Sequence, residues 1–245
     1  MKIIASDYDG TFNHNGITPQ KLEAVSAWRK TGNLFGIISG RGYPSLLDCI
    51  EEHPFEYDFL ICNNGAVIYD TKGKIIFEER CDGKFAQPLV EDLFLWDCPM
   101  ANIDKDEPIR IVNSDKSKKD DEIYLCDLPE VEYFNQISTY LESTEKASAV
   151  VKKIEEKYSD VLTPLQNGTC IDIVPLGVNK AQGIYALLKI VGGKYDDVVA
   201  VGDNINDRHM IAEFRSYAMA NAVESIKKIA DDMVGDVTDI MIKES

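Results

Sequence analysis

Two aspartates two positions apart, Asp7 and Asp9, follow the apolar segment Ile3-Ile4-Ala5 near the start of the chain. Residues at this spacing share one face of a strand, and Gly10 allows the backbone to turn directly after them. Two carboxylates at one strand end repel each other unless a cation lies between them, and Mg²⁺ is a hard divalent cation that prefers oxygen ligands. The alternative is an ordinary hairpin turn, for which Asp-Gly is a frequent signal.

Two further groups of polar residues follow predicted strands. Ser39 and Gly40 end the second predicted strand, where a hydroxyl and a backbone N–H can donate to an anionic oxygen, although Ser-Gly is also an ordinary turn. Asp203 follows a fully apolar predicted strand, and Asp207 comes four residues later at the start of a predicted helix. An N-cap is the ordinary interpretation of Asp207, and capping does not exclude a metal-binding role.

Lys180 stands at the start of a predicted core helix. Cations are disfavoured near a helix N-terminus, so this lysine indicates a nearby anion, with a surface lysine as the alternative. In open α/β sheets, ligands bind outside the carboxyl ends of the strands, and Asp7, Ser39 and Asp203 all fall at such ends. These residues together predict one site for an anion and a divalent cation.

The elements that must position these residues change in character along the chain. In both terminal parts, apolar strand-like segments alternate with helical patterns, which indicates a parallel sheet with helices packed on it. In the middle, helical stretches and strand signals, including a hairpin at Asn167-Gly168, indicate an α+β unit. We predict a Rossmann-like α/β core from residues 1–81 and 176–245, with an inserted α+β domain at 82–175.

Local patterns give three specific expectations, of which the first is a helix from about 222 to 230 in the C-terminal part of the chain. The other two concern the inserted domain. Residues 132–140 are predicted to form one strand. The polar segment 114–121 contains three aspartates and three lysines and is predicted to be a solvated loop or hairpin tip.

The composition excludes several classes of partner. The 245 residues carry a formal charge of −16, which argues against binding a nucleic-acid backbone or an anionic membrane surface. No apolar segment reaches the length needed to span a bilayer, and the N-terminus meets acidic residues too early for a signal peptide. The six cysteines form no CxxC pair, and Cys62 and Cys170 lie in apolar strand-like segments where free buried thiols are expected. We expect a cytoplasmic protein with no obligate protein partner.

In order and context, the Asp-Tyr-Asp-Gly-Thr of 7–11, the Ser-Gly-Arg of 39–41, Lys180 and the Gly-Asp-Asn-Ile-Asn-Asp of 202–207 resemble the four motifs of the haloacid dehalogenase superfamily. The Asn-Gly after the third strand and the insertion between the second and third motifs resemble the Cof-like branch with a type IIB α+β cap, mostly sugar-phosphate phosphatases. Two departures are mild, because Phe12 stands where leucine is common and Ser39 replaces a frequent threonine.

The resemblance implies a role for each matching residue. Asp7 is expected to be the nucleophile that forms an aspartyl-phosphate, and Asp9 the general acid and base. The Asp7 carboxylate, the Asp9 backbone carbonyl and Asp203 are expected to hold Mg²⁺, with Asp207 in support through water or by orienting Lys180. The phosphate-binding residues are expected to be Ser39, Gly40, Lys180 and Asn206.

The resemblance implies a Mg²⁺-dependent phosphatase of small phosphorylated metabolites, with sugar phosphates as the expected class. Substrate specificity is expected to lie in residues 82–175. Arg41, Asn64 and Asp172 are candidate substrate contacts by placement, with a structural role as the alternative for each. A sugar phosphomutase on the same scaffold and a non-catalytic sugar-phosphate sensor remain open.

Overall fold

The computed structural model describes residues 1–105, 107–113 and 119–244. Its strands are β1 (Ile3–Ser6), β2 (Leu34–Ile38), β3 (Phe59–Cys62), β4 (Val67–Tyr69), β5 (Ile75–Glu78), β6 (Cys81–Asp82), β7 (Met100–Asp104), β8 (Ile109–Val112), β9 (Glu122–Tyr124), β10 (Tyr133–Phe134), β11 (Gln136–Tyr140), β12 (Leu162–Asn167), β13 (Cys170–Pro175), β14 (Val198–Gly202), β15 (Arg215–Met219) and β16 (Asp232–Val234). Its α-helices are α1 (Pro19–Lys30), α2 (Tyr43–Glu52), α3 (Ala86–Leu95), α4 (Thr144–Tyr158), α5 (Lys180–Val191), α6 (Arg208–Glu213), α7 (Glu224–Lys227) and α8 (Val237–Lys243).

The chain divides into two compact units. The first contains Met1–Phe77 and Asn179–Ser245, and the second contains Glu78–Val178. The first unit carries the alternating α/β elements, and the second carries antiparallel strands with helices. The predicted fold class, an α/β core with an inserted α+β domain, is confirmed.

The first unit is built on an eight-stranded sheet in the order β16-β15-β14-β1-β2-β3-β4-β5. The pairs from β16 through to β3 are parallel, and β3 pairs with β4 in antiparallel orientation. From β1 the chain adds strands on one side of the sheet, and after β14 it adds strands on the other. The strand order therefore reverses between β1 and β14, which is where open α/β sheets bind ligands.

The central strands of this sheet are buried on both faces. Every residue of β1, β3 and β14 is buried, as expected for parallel strands covered by helices on two sides. The first covering helix, α1, begins at Pro19, because the Thr18 side chain accepts a hydrogen bond from the Lys21 N–H and proline suits the first helical position.

The C-terminal end of the first unit differs from the expectation. The sequence pattern predicted a helix over 222–230, whereas α7 covers Glu224–Lys227, and β16 and α8 were not predicted. The short strand β16 lies at the sheet edge with two exposed residues, so it lacks the apolar run that marks the central strands. Helix α8 has a local signal in Asp236 and Asp239, which form a capping box.

The second unit contains a six-stranded sheet in the order β12-β13-β11-β7-β8-β9 and a two-stranded sheet of β6 and β10. Apolar residues of α3 and α4 pack with alternate strand residues such as Ile103, Ile137 and Ile171 in one buried cluster. The hairpin predicted at Asn167-Gly168 is confirmed, since β12 and β13 pair up to Asn167 and Cys170.

The single strand predicted over 132–140 is wrong. It is divided into β10 and β11, which belong to different sheets. Asn135 makes the break: its backbone N–H donates to the Asp104 carbonyl oxygen at 2.8 Å, and its amide donates to the Glu79 carbonyl oxygen at 2.8 Å. In the polar segment predicted as a loop, residues 114–118 lie outside the described residues, and residues 119–121 are exposed.

Two further features bear on the sequence-based expectations. All six cysteines are free, and Cys62 is buried as expected, but Cys170 is exposed because it begins β13 at the hairpin end of the sheet. Among the helices that the structure describes, none combines the length and apolar character that crossing a membrane requires.

Candidate functional site

Asp7 lies directly after the central strand β1. Its backbone N–H donates to the Val201 carbonyl oxygen at 2.9 Å, so the contact with β14 continues one residue beyond the strand. The chain then enters a tight turn over Tyr8–Phe12. The Asp7 carboxylate is buried at the carboxyl edge of the sheet, next to the point where the strand order reverses.

The Lys180 ammonium lies between two carboxylates. Lys180 is the first residue of α5, which is capped by the Asn179 side chain accepting from the Gln182 N–H. The ammonium is completely buried and donates to Asp7 Oδ1 at 2.6 Å and to Asp207 Oδ1 at 2.5 Å. These two carboxylates offset the unfavourable position of a cation at a helix N-terminus.

Asp207 also fixes the backbone after β14. Its Oδ2 accepts hydrogen bonds from the backbone N–H of Asp203 at 2.8 Å and of Asn204 at 3.0 Å. The Asp207 carboxylate therefore joins Lys180 to the loop that carries Asp203. The N-cap interpretation of Asp207 is wrong, because its side chain makes no capping hydrogen bond to α6. It instead closes a capping box with Asn204 in the turn before that helix.

Asp203 is held by the turn over Tyr8–Phe12. The Thr11 hydroxyl donates to Asp203 Oδ1 at 2.7 Å. Gly10 has φ +80°, and a Cβ atom at this position would lie 2.6 Å from Asp203 Oδ2. A glycine is therefore required both by the backbone conformation and by the close approach of the carboxylate.

The pKa values of these groups shift because they are buried together. Burial raises the pKa of Asp7 well above its ordinary value, and the charges of Asp207 and Asp203 add to this, while Lys180 opposes it. Burial also raises the pKa of Asp203, against the hydrogen bond from Thr11. For Lys180, burial alone would lower the pKa, but the charges of Asp207 and Asp7 outweigh it and raise the pKa.

The cluster fits a divalent cation. One carboxylate oxygen from each of Asp7, Asp203 and Asp207 lies within 4.8 Å of the others. Three carboxylates share this largely buried place with one ammonium, so their negative charge is not fully compensated when they are ionised. Burial first, and then repulsion from the neighbouring carboxylates, raises the pKa of Asp7 and of Asp203. Oxygen ligands at this spacing suit Mg²⁺, which typically takes one or two carboxylates and completes its shell with water and substrate oxygens.

Asp9 is placed differently from the other acids. It is half-exposed in the turn after Asp7, and the Arg41 guanidinium donates to both of its oxygens, at 2.7 and 2.8 Å. Ser39 is buried at the end of β2, and its hydroxyl oxygen accepts from the Arg41 backbone N–H at 3.1 Å. Gly40 lies between Ser39 and Arg41 in the same loop.

The remaining predicted residues lie in two places. Asn64 is buried in a turn after β3 and donates its backbone N–H to the Ser39 carbonyl oxygen at 2.9 Å, while Asn206 is buried in the turn before α6. Asp172 belongs to β13 of the second unit, where Gln136 Nε2 lies 3.4 Å from its Oδ1. The first unit thus brings together Asp7, Lys180, Asp203 and Asp207.

Two residues of this site were missed by the sequence reasoning. Thr11 was part of the first motif, but its contact with Asp203 joins residues 192 positions apart and has no local signal. Lys21 is buried and donates to the carbonyl oxygens of Phe12 at 2.8 Å and His14 at 2.7 Å, which fixes the chain as it leaves the turn after Asp7. Its position at the start of α1 is the same signal that singled out Lys180.

Known proteins are similar to this chain over most of its length. The sequence matches the haloacid dehalogenase-like hydrolases over residues 4–240. The 5-amino-6-(5-phospho-D-ribitylamino)uracil phosphatase of Escherichia coli K12 is 27% identical, over 96% of this chain and 91% of that protein. The pyridoxal phosphate phosphatase of the same organism is 26% identical, over 97% of this chain and 94% of that protein.

Solved structures show the same fold. A haloacid dehalogenase-like hydrolase from Bacillus subtilis superposes with a TM-score of 0.84 at 22% identity, covering 99% of both chains. A subclass IIB sugar phosphatase of the superfamily superposes with a TM-score of 0.80 at 17% identity, covering 100% of this chain and 99% of that one. The resemblance inferred from the four motifs is therefore confirmed: this chain belongs to the haloacid dehalogenase-like hydrolase family.

Proposed function

We propose that this protein is a Mg²⁺-dependent phosphatase that hydrolyses small phosphorylated metabolites of the sugar-phosphate class through an aspartyl-phosphate on Asp7. The observation that carries the proposal is the buried contact of Asp7 Oδ1 with Lys180 Nζ at 2.6 Å, beside Asp203 and Asp207 at the carboxyl edge of the sheet. The family match and the relatives named as phosphatases support the same reaction class.

In the first half of the proposed reaction, an Asp7 carboxylate oxygen attacks phosphorus as the bond from phosphorus to the ester oxygen breaks. Asp9 gives a proton to the departing oxygen, so that an alcohol leaves. In the second half, Asp9 takes a proton from water, and the water oxygen attacks phosphorus. Inorganic phosphate is released, and the Asp7 carboxylate is restored.

Positive charge and hydrogen-bond donors around Asp7 would stabilise the phosphoryl group. Lys180 holds the attacking carboxylate and stands next to the oxygens on which charge develops. Ser39, Gly40 and Asn206 are proposed to donate further hydrogen bonds to the phosphate oxygens. Asp7, Asp203 and Asp207, with the Asp9 backbone carbonyl, would hold Mg²⁺, which when bound supplies positive charge that offsets the repulsion between a phosphate ester and these carboxylates.

We assign the catalytic role to the first unit and the role of a cap to the second, with the predicted boundaries at residues 81 and 176 lying close to the division of the chain at 77 and 179. Asn64 and Asp172 remain candidate substrate contacts. The relatives named for a ribitylaminouracil phosphate and for pyridoxal phosphate widen the range of substrates to be tested beyond sugar phosphates. The six cysteines are free thiols, which supports the proposal that the protein functions in a reducing cytoplasm.

The test is phosphate release from p-nitrophenyl phosphate and from a panel of hexose phosphates, ribityl phosphates and pyridoxal phosphate, with Mg²⁺ or with EDTA. We expect turnover with Mg²⁺ and none with EDTA. Asp7→Asn should be inactive and should carry no phosphoryl group by mass spectrometry after mixing with substrate. Asp48→Asn, an exposed carboxylate on α2, should retain wild-type activity.

Four results would contradict the proposal. Turnover that is unaffected by EDTA would exclude a requirement for a divalent cation. Unchanged activity of Asp7→Asn would exclude Asp7 as the nucleophile. Conversion of a hexose 1-phosphate into an isomer without free phosphate would identify a phosphomutase. Tight binding of a sugar phosphate without any turnover would identify a sensor.

A further inference from the structure

The Arg41 guanidinium and the Asp9 carboxylate form a fork-to-fork pair. Arg41 Nε donates to Asp9 Oδ2 at 2.7 Å, and Arg41 Nη2 donates to Asp9 Oδ1 at 2.8 Å. Two parallel charge-assisted hydrogen bonds fix the plane of the carboxylate as well as its position. A single ammonium cannot impose this geometry, because it is a point charge on a flexible stem.

Arg41 is itself held by the loop that follows β2. Its backbone N–H donates to the Ser39 hydroxyl oxygen at 3.1 Å, and its carbonyl oxygen accepts from the Asn63 N–H at 2.9 Å. At the far end of the side chain, Nη1 donates to the Ser45 hydroxyl oxygen at 3.1 Å, on α2. The guanidinium is therefore anchored on both sides, and its orientation is transmitted to Asp9.

Stability does not account well for this arrangement. The Arg41 and Asp9 side chains are 37% and 50% exposed, and pairs this exposed contribute only about 0–1 kcal/mol to folding. Asp9 follows Asp7 by two residues, so the pair lies at the edge of the sheet where the reaction is proposed to occur. The hydrogen bonds from Arg41 to Asp9 and the Asp9 charge raise the pKa of the guanidinium further, so Arg41 remains a cation and takes no part in proton transfer.

We propose that Arg41 is a positioning residue that orients the Asp9 carboxyl group for proton transfer to the departing oxygen and from the attacking water. This inference rests on the proposed function, in which Asp9 is the acid and base. It replaces the interpretation of Arg41 as a direct substrate contact. Arg41 then acts on catalysis only through Asp9, and its loss should matter in proportion to how much the leaving group needs a proton.

The experiment compares kcat/KM for p-nitrophenyl phosphate, whose leaving group departs as an anion, with phenyl phosphate, whose leaving group depends more on protonation. The variants are Asp9→Asn, Arg41→Met, Arg41→Lys and the double variant Asp9→Asn with Arg41→Met. Because general acid catalysis contributes about 10²–10⁴-fold, we expect Arg41→Met to lose at least about tenfold on phenyl phosphate and under about threefold on p-nitrophenyl phosphate.

Three further readouts separate positioning from binding. KM for both substrates should stay near the wild-type value in Arg41→Met. Arg41→Lys should not recover the kcat/KM on phenyl phosphate, since lysine keeps the charge but lacks the two parallel N–H donors of arginine. The double variant should be no slower than Asp9→Asn alone, because residues that act as one unit are not additive.

A matched control exists in the same unit. Arg29 makes the same fork onto Asp58, with Nε donating at 2.9 Å and Nη2 at 2.8 Å, at the amino end of β3. Arg29→Met should leave the ratio of the two kcat/KM values unchanged. Ser45→Ala should shift the ratio in the same direction as Arg41→Met but less, and circular dichroism should show all variants folded.

The outcomes distinguish this inference from the proposed function. If Asp9→Asn shows no preference for the better leaving group, the acid and base role of Asp9 fails, and the inference fails with it. If Asp9→Asn is selective but Arg41→Met raises KM equally for both substrates and lysine restores it, Arg41 binds phosphate and only the inference is overturned. Losses that multiply in the double variant overturn it as well.

Discussion

At the residue scale, the Lys180 ammonium is the positive charge that makes two buried carboxylates tolerable. It contacts Asp7 and Asp207 and is itself fully buried. Breaking a buried ion pair by removing one partner is costly because the remaining charge has neither solvent nor counterion. The same ammonium is proposed to face the phosphoryl group, so stability and catalysis depend on one atom.

We therefore expect Lys180→Met to destabilise the protein by about 3–5 kcal/mol at pH 7 without divalent cations, and to abolish turnover. Urea unfolding followed by circular dichroism measures the loss. Lys189 lies on the exposed side of the same helix, so Lys189→Met is the matched control and should change neither stability nor turnover appreciably. The loss should shrink at pH 5, where Asp7, with its raised pKa, is more readily protonated. A similar loss at both pH values would count against this explanation.

At the element scale, the turn Asn63–Gly65 connects two parts of the site. The backbone N–H of Asn64 holds the loop after β2, and Gly65 packs against the start of α5, the helix that Lys180 begins. Gly65 has φ +110°, and a Cβ atom there would lie 2.3 Å from the Asn179 carbonyl oxygen. The turn therefore sets the distance between β3 and the helix that carries the lysine.

Replacing Gly65 should displace that helix. We expect Gly65→Ala to cost at least about 2 kcal/mol more than Gly192→Ala, because the first adds a steric clash to the backbone strain that both share. Gly192 ends α5 at φ +68° with open space around it. Thermal unfolding and kcat on p-nitrophenyl phosphate should both fall for Gly65→Ala, whereas Gly192→Ala should retain kcat. Equal effects of the two substitutions would mean that the close contact is unimportant.

In the second unit, strand β7 ends in a buried carboxyl group. Asp104 accepts hydrogen bonds from Asn102 at 2.9 Å and Gln136 at 3.4 Å. Burial, and then the charge of Asp172, raises the pKa of Asp104 to about 7. In the unfolded chain the value is near 3.9. The folded state thus binds more protons than the unfolded state between about pH 4 and 7, so its stability falls as pH rises through that range.

We expect Asp104→Asn to flatten this pH dependence, which amounts to at most about 4 kcal/mol in the wild type. Urea titrations at pH 5 and pH 8 test it in a Trp28→Phe background, where fluorescence reports on Trp96 in the second unit. Asp120→Asn, which replaces an exposed carboxylate of that unit, should leave the change in unfolding free energy between pH 5 and pH 8 as in the wild type. If that change is the same with and without Asp104, this residue is excluded as its source.

At the scale of the whole molecule, a protein with a formal charge of −16 has three aspartates grouped at the place where phosphate is proposed to bind. Carboxylates ligate a cation best when ionised, so the cluster of Asp7, Asp203 and Asp207 would bind one best in that form. The pKa values of Asp7 and Asp203 are raised. Without a divalent cation, their contribution to stability falls as pH rises through those raised values. Protons and metal therefore compete for the same carboxylates.

Stabilisation by Mg²⁺ should accordingly grow between pH 5 and pH 8. At a concentration about 100 times Kd, we expect a gain of about 2.7 kcal/mol in the free energy of unfolding. Thermal unfolding with Mg²⁺ and with EDTA measures it across pH. Asp203→Asn should lose most of the gain, and Asp231→Asn should keep it. A gain that is independent of pH would indicate binding elsewhere.

The sequence by itself determined the fold class, the four motifs and the residues able to do the chemistry. These are local properties: apolar runs mark buried strands, and a glycine or a cap marks where each strand ends or helix begins. Short, half-exposed elements such as β16 carry too little apolar pattern to be recognised in this way.

Only the tertiary structure decided which side chains meet. Lys180 donates a hydrogen bond to Asp7, 173 positions away in the sequence. Thr11 bonds to Asp203 over a separation of 192 positions, and Arg41 bonds to Asp9 over 32. These contacts follow from strand order, because β14 and β2 flank β1 and bring their carboxyl ends to one edge. Strand order results from packing the entire sheet, and no local stretch of sequence records it.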